Sequence, residues 1–160
     1  IKPSIDTRDG ADIIRSRIGL QRSAQVITPE QNVADEYHAA GKYDVIIADE
    51  AQFFTPEQID QLRGIVDNED VPVLCFGLRT DFLTHCFPGS QRLLELADSI
   101  TEIKTVCACG RKATVNARIG EDGHIITQGD QVFLGGNDSY VAMCHKCWAD
   151  KIRAQQSEET

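Results

Sequence analysis

The segment Tyr43-Asp44-Val45-Ile46-Ile47-Ala48 is a short, β-branched, apolar run that ends in Asp49-Glu50. Such a run predicts a buried strand of a parallel sheet, covered on both faces. It leaves two acids at the carboxyl end, where α/β proteins gather their ligands. Thr55-Pro56-Glu57-Gln58 then supplies an N-cap, a proline at the first helical position and a capping-box glutamine. Ile59, Leu62, Ile65 and Val66 share one face at helical spacing, so a helix is predicted from about Pro56 to Val66. Val71 to Phe76 predicts a second apolar strand, and one helix between two strands makes a βαβ unit with parallel pairing. Further helices are expected at Pro29 to Ala40, behind Thr28, and at Gln91 to Ala97. Gly77 to Gly89 reads as a loop, Ile100 to Val106 as a third strand, and the opening Ile1-Lys2-Pro3 as the end of a strand.

Beyond Val106 the pattern changes to short alternating stretches, Ala113 to Ile119 and Gln131 to Leu134. They are broken by Gly120-Glu121-Asp122-Gly123 and Gly135-Gly136-Asn137-Asp138. A helix is predicted from Trp148 to about Gln155, with a frayed polar tail. The organisation expected is an α/β core over 1–105 and a small β-rich unit over 106–160, with no internal repeat.

Composition narrows the classes. A hydrophobic fraction of 41% and a charged fraction of 26% belong to an ordinary globular protein. The apolar runs are far shorter than the roughly 20 residues that span a bilayer, so no membrane partner is expected. A net charge of −9 argues against clamping DNA or RNA, which needs a dense field of Lys and Arg, so no nucleic-acid partner is expected either. No charged start and apolar signal core opens the chain. Six cysteines without a secretion signal read as reduced thiols or metal ligands, which implies a cytoplasmic setting.

Four of these cysteines form two close pairs, Cys107-Ala-Cys109-Gly110 and Cys144-His-Lys-Cys147. Brought together across a hairpin, four thiolates suit tetrahedral zinc, and Gly110 fits a tight turn after the first pair. With four protein ligands the metal would be structural, having no open position. The alternatives are unrelated buried cysteines or a disulfide. The first pair is one residue shorter than usual, which leaves His145 as a substitute ligand.

Val45-Ile46-Ile47-Ala48-Asp49-Glu50-Ala51-Gln52 resembles the second phosphate-site element of nucleotide-binding proteins. An acid at the strand tip can hold a magnesium ion on phosphate oxygens, and its neighbour can take a proton from an attacking group. A strand that merely ends in two solvated acids is the plain alternative. The accompanying Gly-x-x-x-x-Gly-Lys-Ser/Thr has no match: Gly41-Lys42 is followed by Tyr43, with Glu36 where the first glycine should stand. The strand-like opening leads us to expect a strand, loop and helix of about 30 residues ahead of Ile1.

Ile5-Asp6-Thr7-Arg8, Ser16-Arg17-Ile18-Gly19, Ala48 to Phe54, Gly77-Leu78-Arg79-Thr80-Asp81-Phe82, Gly135 to Tyr140 and the cysteine pairs follow one another in order. Together, from about Asp6 to Cys147, they resemble the thymidine kinase family of cytosolic vertebrate and bacterial type. The resemblance implies a P-loop-type, mostly parallel sheet with helices, followed by a zinc ribbon with a lasso-like loop. It implies transfer of the γ-phosphoryl group of ATP, with Mg2+, to the 5′-hydroxyl of thymidine or deoxyuridine. Glu50 would be the general base and Asp49 would stand on the magnesium side. Asp6, Arg8 and Arg118 would lie near the phosphates. Phe53, Leu78, Phe82 and Phe87 would wall the base pocket, Gly135 would let backbone approach the nucleoside, and Tyr140 would close over the sugar. A homotetramer and feedback inhibition by thymidine triphosphate are implied as well.

Aromatic walls suit a flat, partly apolar base, although Phe82 and Phe87 could equally be loop anchors. Cys75 reads as plain core, Cys86 as a loop thiol, and His38, His85 and His124 as surface residues. Without the Gly-Lys loop these 160 residues are expected to bind ATP poorly and turn over little. Two other classes compete: a nucleoside-triphosphate hydrolase in which the glutamate activates water, and a noncatalytic zinc-ribbon adaptor.

Overall fold

The computed structural model describes residues 1–7, 10, 12–15, 18–131 and 139–158. Arg8, Ser16-Arg17, Val132 to Leu134 and Gly135 to Asp138, all named above, lie outside the described residues. The chain forms two compact units, one from Ile1–Arg79 and Phe87–Asp98, the other from Thr80–Cys86 and Ser99–Thr160. Among the described residues the architecture is mixed α/β, with four α-helices and small two-stranded sheets, both parallel and antiparallel.

The first unit opens with β1 (Lys2–Pro3), an antiparallel hairpin of β2 (Ile13–Arg15) and β3 (Gln21–Ser23), and β4 (Val26–Ile27), which pairs in parallel with β1. Helix α1 (Val33–Ala40) starts later than Pro29. Thr28 and Gln31 close a turn on each other, the Thr28 N–H donating to Gln31 Oε1 at 2.8 Å and the Gln31 N–H to the Thr28 carbonyl at 3.1 Å. That turn leaves Asn32 to cap the helix, its Oδ1 accepting from Ala34 and Asp35.

The predicted βαβ unit is present. β5 (Ile46–Ala48) and β6 (Val73–Cys75) pair in parallel, with Ile46 opposite Val73 and Ala48 opposite Cys75, on either side of α2 (Pro56–Glu69). Helix α3 (Pro88–Leu96) completes the unit. Ile46, Ala48, Ile59, Leu62 and Ile65 join Ile27, Val33 and Phe54 in one core, each fully buried aliphatic side chain contributing about 1.5–3 kcal/mol. The strands are not covered on both faces as expected. Val45, Ile47, Leu74 and Phe76 stay exposed, because alternate residues point to opposite faces and the core occupies only one.

The α2 cap extends into tertiary structure. Gln58 Oε1 accepts from the Thr55 N–H and Thr55 Oγ1 accepts from the Gln58 N–H, which is the predicted capping box. Gln58 Nε2 also donates to the Thr28 and Gln31 carbonyls at 2.8 and 3.0 Å, with the side chain buried. Gln58→Leu keeps the bulk and removes all three side-chain amide bonds. It is expected to cost about 2 kcal/mol in chemical denaturation; a loss below about 0.5 kcal/mol would show these bonds to be dispensable.

In the second unit, β7 (Thr105–Val106) and β8 (Lys112–Ala113) form a hairpin, and β9 (Val115–Ile119) pairs antiparallel with β10 (Ser139–Met143) ahead of α4 (His145–Glu158). The strand expected over Ile100 to Val106 reduces to β7. Ile100 and Ile103 are exposed, and the described ladder of this stretch joins Thr105 and Val106 to the hairpin's own return strand. Helix α4 starts three residues earlier than Trp148 and runs past Gln155, because the second cysteine pair forms its first turn. Cys107, Val115, Ala117, Ile125, Met143 and Cys144 form the core, with Trp148 and Ile152 packed on it. No helix among the described residues is long and apolar enough to cross a membrane.

Candidate functional site

The end of β5 carries the two acids. The Asp49 N–H donates to the Ile1 carbonyl at 3.1 Å, and Asp49 Oδ1 accepts from the Glu50 N–H at 3.0 Å. Glu50 sits in the left-handed region at φ 49, ψ 39, which costs a residue with a Cβ about 1–2 kcal/mol. Strain of this kind concentrates at functional positions, and it needs surroundings that impose it. Those surroundings are the 3-10 turn Ala51–Phe53 and the end of β6: the Ala51 N–H donates to the Phe76 carbonyl at 2.8 Å, and the Phe76 N–H to the Ala48 carbonyl at 2.8 Å.

Helix α3 begins against the same turn. A Cβ on Gly89 would come within 2.4 Å of the Phe54 carbonyl oxygen and 2.9 Å of that of Gln52. Gly89→Ala must therefore move backbone, and is expected to cost about 2 kcal/mol in thermal or chemical unfolding; a neutral effect would show that the turn and helix do not press together. Phe87, just before the helix, meets Phe53 edge-on, with ring centroids 5.5 Å apart. Leu78 is exposed, and its carbonyl accepts from Ser90 Oγ at 2.6 Å.

Two residues of this unit, Gln52 and Lys2, fall in stretches named from the sequence but were given no role there. Gln52 is buried; its Nε2 donates to Glu50 Oε2 at 2.6 Å, and its Oε1 accepts from the Leu78 N–H at 3.0 Å. Lys2 has no exposed surface, and its Nζ lies 2.9 Å from Asp6 Oδ2 while donating to the Gly10 and Ile13 carbonyls. Asp6, a candidate phosphate-side residue, is thus held by a buried ion pair. Polar types alone do not single out these two; only their burial does.

In the second unit Asp81 organises the turn that carries Phe82. Its Oδ1 accepts from the Leu83 and His85 N–H groups, both at 2.9 Å, and its Oδ2 from Gln131 Nε2 at 2.9 Å. Phe82 is buried under the Arg118 guanidinium, 5.4 Å from the ring centroid, and Arg118 is itself 5% exposed. Tyr140, half-exposed on β10, stands opposite Arg118 on β9. Arg8 and Gly135 are outside the described residues.

The four paired cysteines converge: one Sγ from each of Cys107, Cys109, Cys144 and Cys147 lies within 4.8 Å of the others, and Cys109 and Cys144 approach to 3.6 Å. His145 is not in this group; its ring meets Trp148 at 5.3 Å. Gly110 adopts φ +84, and its N–H donates to the Cys107 carbonyl at 2.8 Å, the tight turn expected after the short first pair. Backbone N–H groups, first that of Cys109 and then that of Cys144, hold the Cys107 thiol down at about 6. The Cys147 N–H likewise lowers Cys144. Cys147 is pushed up to about 12, first by its hydrogen bond with Cys109. Four sulfurs this close together could hold a metal ion. Elsewhere, burial lifts the Cys75 thiol to about 11, in keeping with a core thiol, and Cys86 is exposed.

A family model described as thymidine kinase matches residues 1–148. A thymidine kinase of Legionella pneumophila is 49% identical over 146 residues, covering 89% of this chain and 70% of the relative. That of Ruegeria pomeroyi is 47% identical over 150 residues, covering 92% and 76%. That of Aliivibrio fischeri is 45% identical over 152 residues, covering 93% and 79%.

Proposed function

Because the chain belongs to the thymidine kinase family, we propose that it serves to phosphorylate thymidine or deoxyuridine at the 5′-hydroxyl, with ATP as donor and Glu50 as general base. The observation that carries this reading is the strained Glu50 at the tip of β5, its carboxylate held by Gln52 and its backbone N–H donating to the carboxylate of Asp49. A carboxylate so fixed can accept the hydroxyl proton as the oxygen attacks phosphorus. Asp49 would hold Mg2+, which neutralises charge on the phosphates when bound. Phe53, Leu78 and Phe87 of the first unit suit a flat base, with Phe53 and Phe87 already in mutual contact.

The other contact residues are proposed by resemblance: Asp6, Arg8 and Arg118 toward phosphate, Phe82, Gly135 and Tyr140 toward nucleoside. The first unit's parallel βαβ element supports a P-loop-type sheet. The amide cradle of a Gly-Lys-Ser/Thr loop is not among these 160 residues, so activity is to be measured on the full-length protein, and little turnover is expected of this segment alone. We carry the homotetramer and feedback by thymidine triphosphate on family membership.

For the cysteine cluster we propose structural zinc. Tetrahedral Zn–S bonds of about 2.3 Å put sulfurs about 3.8 Å apart, and the observed separations suit that cage. All four positions are taken by protein, leaving none for catalysis. The test of the reaction is a pair of nucleosides: thymidine should be phosphorylated, and 5′-deoxythymidine, which lacks the accepting hydroxyl, should not. ATP consumption indifferent to both would favour the hydrolase reading.

A further inference from the structure

We propose that Gln52 is a positioning residue for the base, locking the Glu50 carboxylate and tying it to the backbone of the nucleoside wall at Leu78. The inference rests on the reading of Glu50 as general base. The carboxamide is held at both ends. A backbone N–H can only donate, so the Leu78 N–H at 3.0 Å fixes Oε1 toward itself, and Nε2 is left to face Glu50 Oε2 at 2.6 Å. The amide therefore cannot flip without losing both bonds. It is also confined in space: a Cβ at position 77 would lie 2.4 Å from Gln52 Oε1 and 3.1 Å from the Gln52 nitrogen, so Gly77 leaves the room that the side chain fills. Gln52 is 2% exposed, and water does not compete for these bonds.

The consequence is mechanical. Glu50 is itself the strained residue at the start of a short turn, and its side-chain torsions have several staggered wells. A charge-assisted bond from a buried, doubly anchored amide selects one of them. Because the anchor is the Leu78 N–H, movement of the nucleoside wall is transmitted to the carboxylate through one side chain. The glutamine thus orients the base as a third group orients the base of a catalytic triad.

The experiment is steady-state kinetics of thymidine phosphorylation by the full-length protein and its Gln52→Met, Gln52→Glu and Glu50→Gln variants. Gln52→Met fills the space without either bond, and kcat is expected to fall about 10²-fold with KM for thymidine within about threefold. Gln52→Glu keeps an acceptor for Leu78 but sets a second carboxylate against Glu50, and should lose kcat at least as far. It decides the matter if the Met variant does not fold. Loss confined to KM, or parental kcat in a folded Gln52 variant while Glu50→Gln is inactive, overturns the role of Gln52 and leaves the base intact. A Glu50→Gln variant as active as the parent, or a parent that forms no thymidine monophosphate, overturns the base and the role of Gln52 together.

Discussion

Replacing Glu50 by glutamine in the full-length protein is expected to cut kcat for thymidine phosphorylation by at least about 10²-fold, the usual cost of losing a general base. The substitution is close to isosteric, and the new carboxamide can still accept from Gln52 Nε2, so the bond that spans 2.6 Å in the parent has a replacement. The left-handed backbone at residue 50 is imposed by the turn and by β6, not by the side chain's charge. Thermal unfolding and zinc content should therefore match the parent. Equal turnover in the two proteins would remove Glu50 from the chemistry and leave a strand that simply ends in two acids.

Cys144→Ser is expected to abolish zinc binding and to lower the melting temperature of the second unit by more than about 10 °C. Cys144 is buried, its sulfur accepts from the Cys147 N–H at 3.4 Å, and the residue begins the turn from which α4 packs on β9 and β10. With zinc held as proposed, removing this ligand breaks the cage beside the core that Cys107 and Cys144 help to form. Zinc analysis and calorimetry on the same sample read both effects, and a metal-free variant that melts with the parent would defeat the ribbon. Acid acts in the same direction. The Cys107 thiol is depressed to about 6, so the stability its thiolate gives the metal-free fold is present above its ordinary value and is lost as pH falls through about 6. Zinc uptake should weaken in that window.

Local signals account for what the sequence revealed. The apolar run before Asp49, the Thr55-Pro56-Glu57-Gln58 cap and the two cysteine pairs each act within a few residues, and β5, α2, β6 and the cysteine cluster stand where those patterns put them. The misses are cases where a distant partner decides. Gln58 spends its amide on carbonyls near residue 30, and the turn there moves the start of α1 to Val33. Ile100 and Ile103 have the side chains of a strand but no described neighbour to pair with, so the pattern alone misleads. Gln52 and Lys2 read as ordinary polar residues until burial and long-range bonds give them work, since Leu78 and Gln52 are 26 positions apart. Chemistry-bearing acids are therefore easier to find in a sequence than the neutral groups that aim them.

As a member of the thymidine kinase family, the protein is expected to act on a nucleoside hydroxyl, not on water. The most direct measurement is the initial rate of thymidine monophosphate formation by the full-length protein with ATP and Mg2+, beside ATP hydrolysis in the same mixture without thymidine. Monophosphate should form in step with ADP, and little ADP should appear when thymidine is left out. ADP released at the same rate with or without thymidine, and no monophosphate, would contradict that expectation.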